Sequence, residues 1–348
     1  MGTGRSPVAR SRPAPPALGR VDGVDWSPLT EAELPEVSGL LTAIEHFDDP
    51  AERHTLEELQ EAFAESAADP EHNARIGRDR GGVVVAYGWV HPFPADVNPR
   101  RVFLDGGVHP GWRRRGIGHE LLDWELARAA EWDAQTRSAE HGPLQLTVPV
   151  EEKFTDRAKL VCDRKFSAVR WFADMSLKFE QLDSGVPAVP RLPGIRLEPF
   201  RVTVSEQVRQ AHNEAFADHW GSQPVPQVRW QERLAASSTR TEWSWVALDD
   251  ASGEVAGYAM NAAYPQDWEF QGYREGWTDR LGVRRNWRNR GIAKALLIAS
   301  MRSFADAGLD GAGLGVDTDN PTGAFGLYTR LGYHRGETQV MYARIDSP

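Results

Sequence analysis

Val108-His-Pro-Gly-Trp-Arg-Arg-Arg-Gly-Ile-Gly118 and Val283-Arg-Arg-Asn-Trp-Arg-Asn-Arg-Gly-Ile-Ala293 are two versions of one segment, 175 residues apart. Carried on to Trp124 and Ala299, the comparison spans 17 positions, and eight are identical: Val, Trp, two Arg, Gly, Ile and two Leu. The period is far above the ~20–50 residues of solenoid repeats, so it marks duplication of a whole domain. In each copy an alternating run (residues 102–108 and 277–283) predicts a strand. Glycine and arginine then predict a turn, and the apolar spacing beyond predicts an amphipathic helix. The second helix is expected over residues 291–307, with Ala295, Leu296, Ile298, Ala299 and Phe304 on its apolar side and Gly308 as its stop. Strand, turn and helix in this order leave first-turn N–H groups unpaired at the positive end of the helix dipole. Such a place suits a pyrophosphate, and Gly116 and Gly291 lack the Cβ that would keep phosphate oxygens off the chain.

Outward from the repeat, 348 residues are enough for two domains of ordinary size. Residues 183–194 hold three prolines and two glycines and predict a semi-rigid linker. The expected division is a basic, proline-rich, disordered tail over 1–22, a first domain over 23–182, the linker, and a second domain over 195–346. The tail lacks the apolar core of a secretory signal, and no apolar run approaches the ~20 residues of a membrane span. A single cysteine, Cys162, excludes an intramolecular disulfide and a cysteine-based metal cluster, and fits a cytoplasmic location. A net charge of −10 argues against nucleic-acid binding and suits a cationic partner such as an amine. His212, Asp218 and His219 make an incomplete ligand set, so no metal is expected.

In the second copy, residues 314–320 predict a further strand. Asn320 is placed to cap a short helix over 322–331, with Pro321 at its first position and Gly332 closing it. The dinucleotide G-x-G-x-x-G and the phosphate loop G-x-x-x-x-G-K-[ST] are both absent. What recurs is R-x-x-G-x-G/A, with valine five residues before the arginine. These segments resemble the acetyl-CoA motif of the GNAT (Gcn5-related) N-acetyltransferases. The string Asn320-Pro-x-x-x-x-x-x-Tyr328-x-x-x-Gly332-Tyr333 is similar to the C-terminal part of that domain. The tandem layout and the segment over residues 213–221 are similar to the mycothiol synthase type within the family.

The resemblance implies an α/β fold with a mixed sheet, two tandem GNAT domains, and acetyl transfer from acetyl-CoA to the amine of a small molecule such as an amino sugar. It implies no nucleic acid and no membrane, in a monomer or homodimer. In the second copy it places acetyl-CoA on Leu281, Gly282, Val283, Arg288, Asn289, Arg290, Gly291, Ile292, Ala293 and Lys294, with Asn320 and Phe325 toward the pantetheine end. The corresponding first-copy residues are Val108, Arg113, Arg114, Arg115, Gly116, Ile117 and Gly118. The Leu281 N–H is expected to meet the thioester oxygen, with Gly282 easing a strand distortion, and Tyr328 to protonate the departing thiolate unless it only packs.

For the base, alternation puts Leu281, Asp279, Trp277 and Glu275 on one face. Asp279 is first choice unless it pairs with Arg280 or Arg285; Glu275 is second, and deprotonation by water alone is the third reading. Trp220, Trp268, Trp277 and Tyr264 are candidates for the substrate pocket. Setting Phe166 against Tyr333 puts Val161 opposite Tyr328 and Lys153 opposite Asn320. The fixed offset puts Val102 and Leu104 opposite Trp277 and Asp279. Catalysis is therefore expected in the second copy, the first binding CoA without transfer or walling the substrate cleft. The rival reading is a CoA-binding regulatory or scaffold protein whose chemistry has decayed.

Overall fold

The computed structural model describes Leu18 and residues 21–65, 69–217, 219, 221–319 and 324–346. Nearly all of the expected tail therefore lies outside the described residues. In the first copy the strands are β1 (Val24–Pro28), β2 (Ala74–Asp79), β3 (Val84–Pro92), β4 (Arg100–Val108), β5 (Leu144–Glu151) and β6 (Ser167–Lys178). In the second they are β7 (Ile195–Pro199), β8 (Trp245–Asp249), β9 (Val255–Ala262), β10 (Glu275–Val283), β11 (Gly311–Asp317) and β12 (His334–Asp346). The first copy carries helices α1 (Leu34–Asp48), α2 (Leu56–Ala64), α3 (Pro70–Asn73), α4 (Ile117–Thr136) and α5 (Thr155–Cys162). The second carries α6 (Ser205–Ala215), α7 (Gln227–Ala235), α8 (Pro265–Gln271), α9 (Ile292–Asp306) and α10 (Ala324–Arg330).

All twelve strands join one sheet, in the order β1-β2-β3-β4-β5-β12-β6-β11-β10-β9-β8-β7. The pairs β4–β5 and β10–β11 are parallel and the rest antiparallel, so the sheet is mixed. The first five strands of each copy stay in chain order, but the sixth crosses over. β6 pairs with β11 of the second copy, from Gly311↔Lys178 to Asp317↔Phe172. β12 pairs with β5 of the first copy, from Gln339↔Glu151 to Asp346↔Leu144, and β6 and β12 pair with each other at the seam. Neither copy completes its sheet without the other's last strand.

On one face, α4 sets Leu121, Leu122 and Trp124 against Val102, Leu104 and Leu146. In the second copy α9 sets Leu297, Ile298, Met301 and Phe304 against Ala312, Leu314 and Val316 of β11. Every α9 residue from Ala295 to Met301 is buried, because a further layer covers the outer side of the helix. Val186 and Val189 of the expected linker pack there beside Leu182, so that segment forms part of the core. The other face carries α1 and α2 in the first copy and α6 and α7 in the second. Among the described residues no helix is long and apolar enough to cross a membrane.

Candidate active site

The repeated turns have one backbone shape. After β10 comes a 3₁₀ turn over Arg285–Trp287, then Asn289 at φ 60° and Gly291 at φ 80°, then α9. After β4 comes a 3₁₀ turn over Pro110–Trp112, then Arg114 at φ 63° and Gly116 at φ 91°, then α4. A non-glycine residue held left-handed is costly and is usually kept for function. No side chain caps either helix, so the N–H groups around Ile292, Ala293 and Lys294, and around Ile117 and Gly118, are left for an anion. The repeated arginine has a different job from the one its place in the motif suggests. Arg288 donates from Nε to the Val283 carbonyl at 3.2 Å and from Nη2 to Ala215 at 2.9 Å. Arg113 likewise donates to the Val108 carbonyl at 3.1 Å and grips Asp48 with both terminal nitrogens at 2.6 and 2.7 Å. Each staples its turn to its strand, so anion binding at that position falls to the backbone. Arg290 and Lys294 are exposed, and among the described residues neither is paired with a carboxylate. In the first copy Arg114 is paired with Asp156, and Arg115 lies over the Trp112 ring at 4.5 Å.

Next to each turn the sheet opens. β10 and β11 are in register only from Glu275↔Gly311 to Thr278↔Leu314, and β4 and β5 only from Arg100↔Leu144 to Phe103↔Thr147. β10 also carries a bulge, its register against β9 slipping between Thr278 and Arg280, whereas β4 pairs regularly with β3. The distortion therefore sits at Asp279 and not at Gly282. Gly282 is needed for another reason: a Cβ there would lie 2.6 Å from the Tyr258 ring. A bulge reverses the alternation of side chains, which corrects the reading of one shared face. Glu275, Trp277 and Asp279 line a cavity, while Leu281 turns to the α9 side and packs against the apolar cluster that contains Tyr328. The fixed offset fails for the same reason. Val102 and Leu104 pack on α4, and Asp105, which accepts from the Tyr87 hydroxyl at 3.0 Å, lies on the opposite face.

The cavity, about 470 Å³, lies between the two copies. Beneath the Glu275 and Trp277 side chains runs β11, whose Gly311, Gly313 and Gly315 present no side chain on this face while Ala312, Leu314 and Val316 face the core. Glu275 and Trp277 rise from β10 and Asp174 and Ser176 from β6. The loop over residues 49–54 of the first copy closes one side, tied across by the Arg53 N–H donating to Asp267 at 3.0 Å. Tyr264, Trp268 and Trp277 line it as the aromatic reading expected; Trp220 lies outside the described residues. Glu275 accepts from the Tyr273 hydroxyl at 2.9 Å, and burial lifts its pKa to about 7 against the lowering pull of Tyr273 and Gln271. Asp279 is paired with Arg280 at 2.5 Å, the alternative its sequence context left open. Tyr328 is buried, and burial pushes its hydroxyl up to about 12, so it holds its proton at neutral pH. Phe325, on the same helix, is 38% exposed, and Asn320 lies outside the described residues. Val161 fills the matching place in the first copy as plain core. His212 is a packing residue, its Nδ1 2.6 Å from the Tyr258 hydroxyl and its ring stacked on Phe216; burial lowers its pKa to about 3. Asp174, Tyr273 and the 49–54 loop were missed from sequence. Beside those aromatics, the G-x-G-x-G spacing at 311–315 was a further signal in the sequence.

Comparison with known proteins decides the family. The acetyltransferase (GNAT) family model matches residues 40–143 and 205–333, spanning both turns and both helices behind them. The chain belongs to the GNAT acetyltransferase family. A mycothiol acetyltransferase from Thermobifida fusca is 28% identical over 285 residues, 79% of this chain and 83% of the relative. A GCN5-related N-acetyltransferase from Sphaerobacter thermophilus superposes with a TM-score of 0.73 at 23% identity, covering 95% of this chain and 98% of that one. A tandem GNAT protein from the clavulanic acid biosynthesis pathway superposes at 0.68 and 18% identity, covering 93% and 99%. As a GNAT protein the chain is an acyltransferase that draws its acyl group from an acyl-CoA. The residues fit that cofactor: an uncapped helix end, a glycine with no Cβ toward the anion, and a parted pair of strands beside them.

Proposed function

We propose that the protein transfers an acetyl group from acetyl-CoA to the primary amine of a small molecule, an amino sugar or natural-product amine, in the second copy. Acetyl-CoA, when bound, supplies the acetyl group as a thioester. The backbone around Asn289–Lys294 binds its diphosphate, and the parted edges of β10 and β11 take the pantetheine arm. Glu275 takes one proton from the ammonium to give the neutral amine that attacks, the Leu281 N–H stabilises the oxygen that gains charge, and Tyr328 gives its proton to the sulfur and is restored by the second proton the nitrogen sheds as the amide forms. One N–C bond forms and one C–S bond breaks, leaving an amide and a thiol.

The observation that carries this reading is the place of Glu275, a carboxylate that lines the cavity and has no cationic partner among the described residues; burial lifts its pKa to about 7. A base matched to neutral pH is what amine acetylation needs. Two features support the second copy as the catalytic one: its bulge, and its Tyr328 where the first has Val161. The test is thiol release from acetyl-CoA against a panel of amines and amino sugars, with product mass read in parallel. The expected result is acetylated amine with at least one acceptor and its loss in Glu275→Gln. Full activity in that variant would remove the proposed base.

A further inference from the structure

Eight carboxylates surround the cavity against Arg53, Lys153 and His54. Most have partners. Asp49 and Asp267 hold Arg53 at 2.5 and 3.8 Å, and Asp279 holds Arg280 at 2.5 Å. Glu337 lies 3.8 Å from Lys153, and Glu58 accepts from the Thr55 N–H at 2.8 Å and from Gln266 at 3.1 Å. Glu52, Asp174 and Glu275 remain, and among the described residues none of them has an arginine or lysine partner. Asp174 belongs to β6 and stands opposite Gly315 after the crossing of that strand. A Cβ on Gly315 would touch both Asp174 and Trp277 at 4.0 Å, and one on Gly313 would lie 3.0 Å from the Glu275 carboxyl carbon. Asp174 and Glu275 thus flank one bare strip of β11, with the Trp277 ring reaching over it. Burial lifts the Asp174 pKa to about 7, helped by the negative charges of Glu52, Glu275, Glu151 and Glu337. Glu52 stands at the exposed rim of the cavity, where the charge of His54 opposes the raising effect of its surroundings. Carboxylates crowded this way are relieved by a proton or by a cation; among the described residues the protein sets His54 beside Glu52 and brings no cation to Asp174 or Glu275.

We infer that the acceptor is a dication, one ammonium presented to Glu275 for acetylation and a second, across a short spacer lying on Trp277, held by Asp174 with Glu52. The inference rests on the transferase reading for the fate of the first amine, but the recognition of two charges can be measured without turnover.

Full-length protein saturated with CoA is titrated calorimetrically with 1,4-diaminobutane, 1,5-diaminopentane and butylamine, and thiol release from acetyl-CoA is read with the same amines. A diamine should bind at least tenfold tighter than butylamine. Asp174→Asn should cut that preference below threefold while CoA affinity is unchanged, and Glu52→Gln should cut it in the same direction. Equal affinity for diamine and monoamine, no binding by either diamine, or an intact preference in both variants overturns the inference. If butylamine is acetylated with the kcat/KM of the diamines, the dication reading falls and the transferase reading stands. If diamines bind with the expected preference but release no thiol, the transferase reading falls and the dication site stands.

Discussion

Glu275 and Asp279 lie four residues apart on one strand, and their surroundings give them different chemistry. Asp279 sits at the bulge beside Arg280, which offers it a permanent counter-charge. Glu275 sits in the cavity with no counter-charge, and burial outweighs the hydrogen bonds of Tyr273 and Gln271, so its charged form is the less favoured one. The base must be deprotonated to act, so kcat/KM should rise with pH through about 7 and level off above it. Glu275→Gln should lower kcat/KM by ~10²–10⁴-fold and abolish that rise. Tyr328→Phe keeps the ring in its cluster and removes the hydroxyl, so kcat should fall about a hundredfold while the melting temperature and CoA affinity hold. Asp174 gives a stability test with a definite sign. Its folded pKa of about 7 lies above that of the unfolded chain, so the folded state binds the proton more tightly, and stability is lost as pH rises toward 7. Asp174→Asn should therefore melt higher than the parent at pH 8, with the gap closing as pH falls toward the ordinary carboxylate range of ~4. From sequence, Tyr328 and both carboxylates were visible as candidates. The order of the carboxylates was not, because it depends on which one has an arginine within reach. Asp174 was invisible, since nothing in the local sequence of β6 tells that it faces a site built mainly by the other copy.

At the scale of elements, the turn was the most legible part, because its demands are local: a left-handed residue, a second left-handed residue two places on, and a free helix end. Gly291 is exposed at φ 80° with its Cβ direction 3.4 Å from Leu192, so Gly291→Glu adds strain and puts a carboxylate at the anion site. Calorimetry should show CoA affinity falling by at least tenfold, or ~1.4 kcal/mol. Gly116→Glu, at φ 91°, should leave turnover largely intact, because the first copy has a regular β4 and no tyrosine at Val161. Loss of turnover in a folded, CoA-binding Gly116→Glu protein would move the chemistry to the first copy. What the repeat could not reveal was the bulge. A gapless comparison assumes both strands alternate in step, and one extra residue at Asp279 sets Leu281 on the face opposite Glu275 and Trp277. The stapling role of Arg113 and Arg288 was equally hidden, since a repeated arginine beside a phosphate turn reads as a phosphate ligand until its partners are seen.

Across the whole molecule, two domains of mixed α/β type were legible from the duplication, but the exchange of their last strands was not. Strand pairing is a long-range choice, and β6 carries no mark that sends it to β11 in place of β5. With the exchange, residues 1–182 and 183–348 expressed separately should each be insoluble or protease-sensitive, and co-expression should recover a soluble pair; a monomeric, cooperatively melting half would contradict this. The same exchange sets a timetable for synthesis. As the chain leaves the ribosome, β5 emerges about 180 residues before its neighbour β12. Until His334–Asp346 clears the exit tunnel, β5 keeps one row of unpaired N–H and C=O groups, an edge that invites wrong partners. The nascent protein therefore carries an unfinished first half until β12 is made, and a chain stalled just before residue 334 should be cut by protease around β5 where the released protein is not.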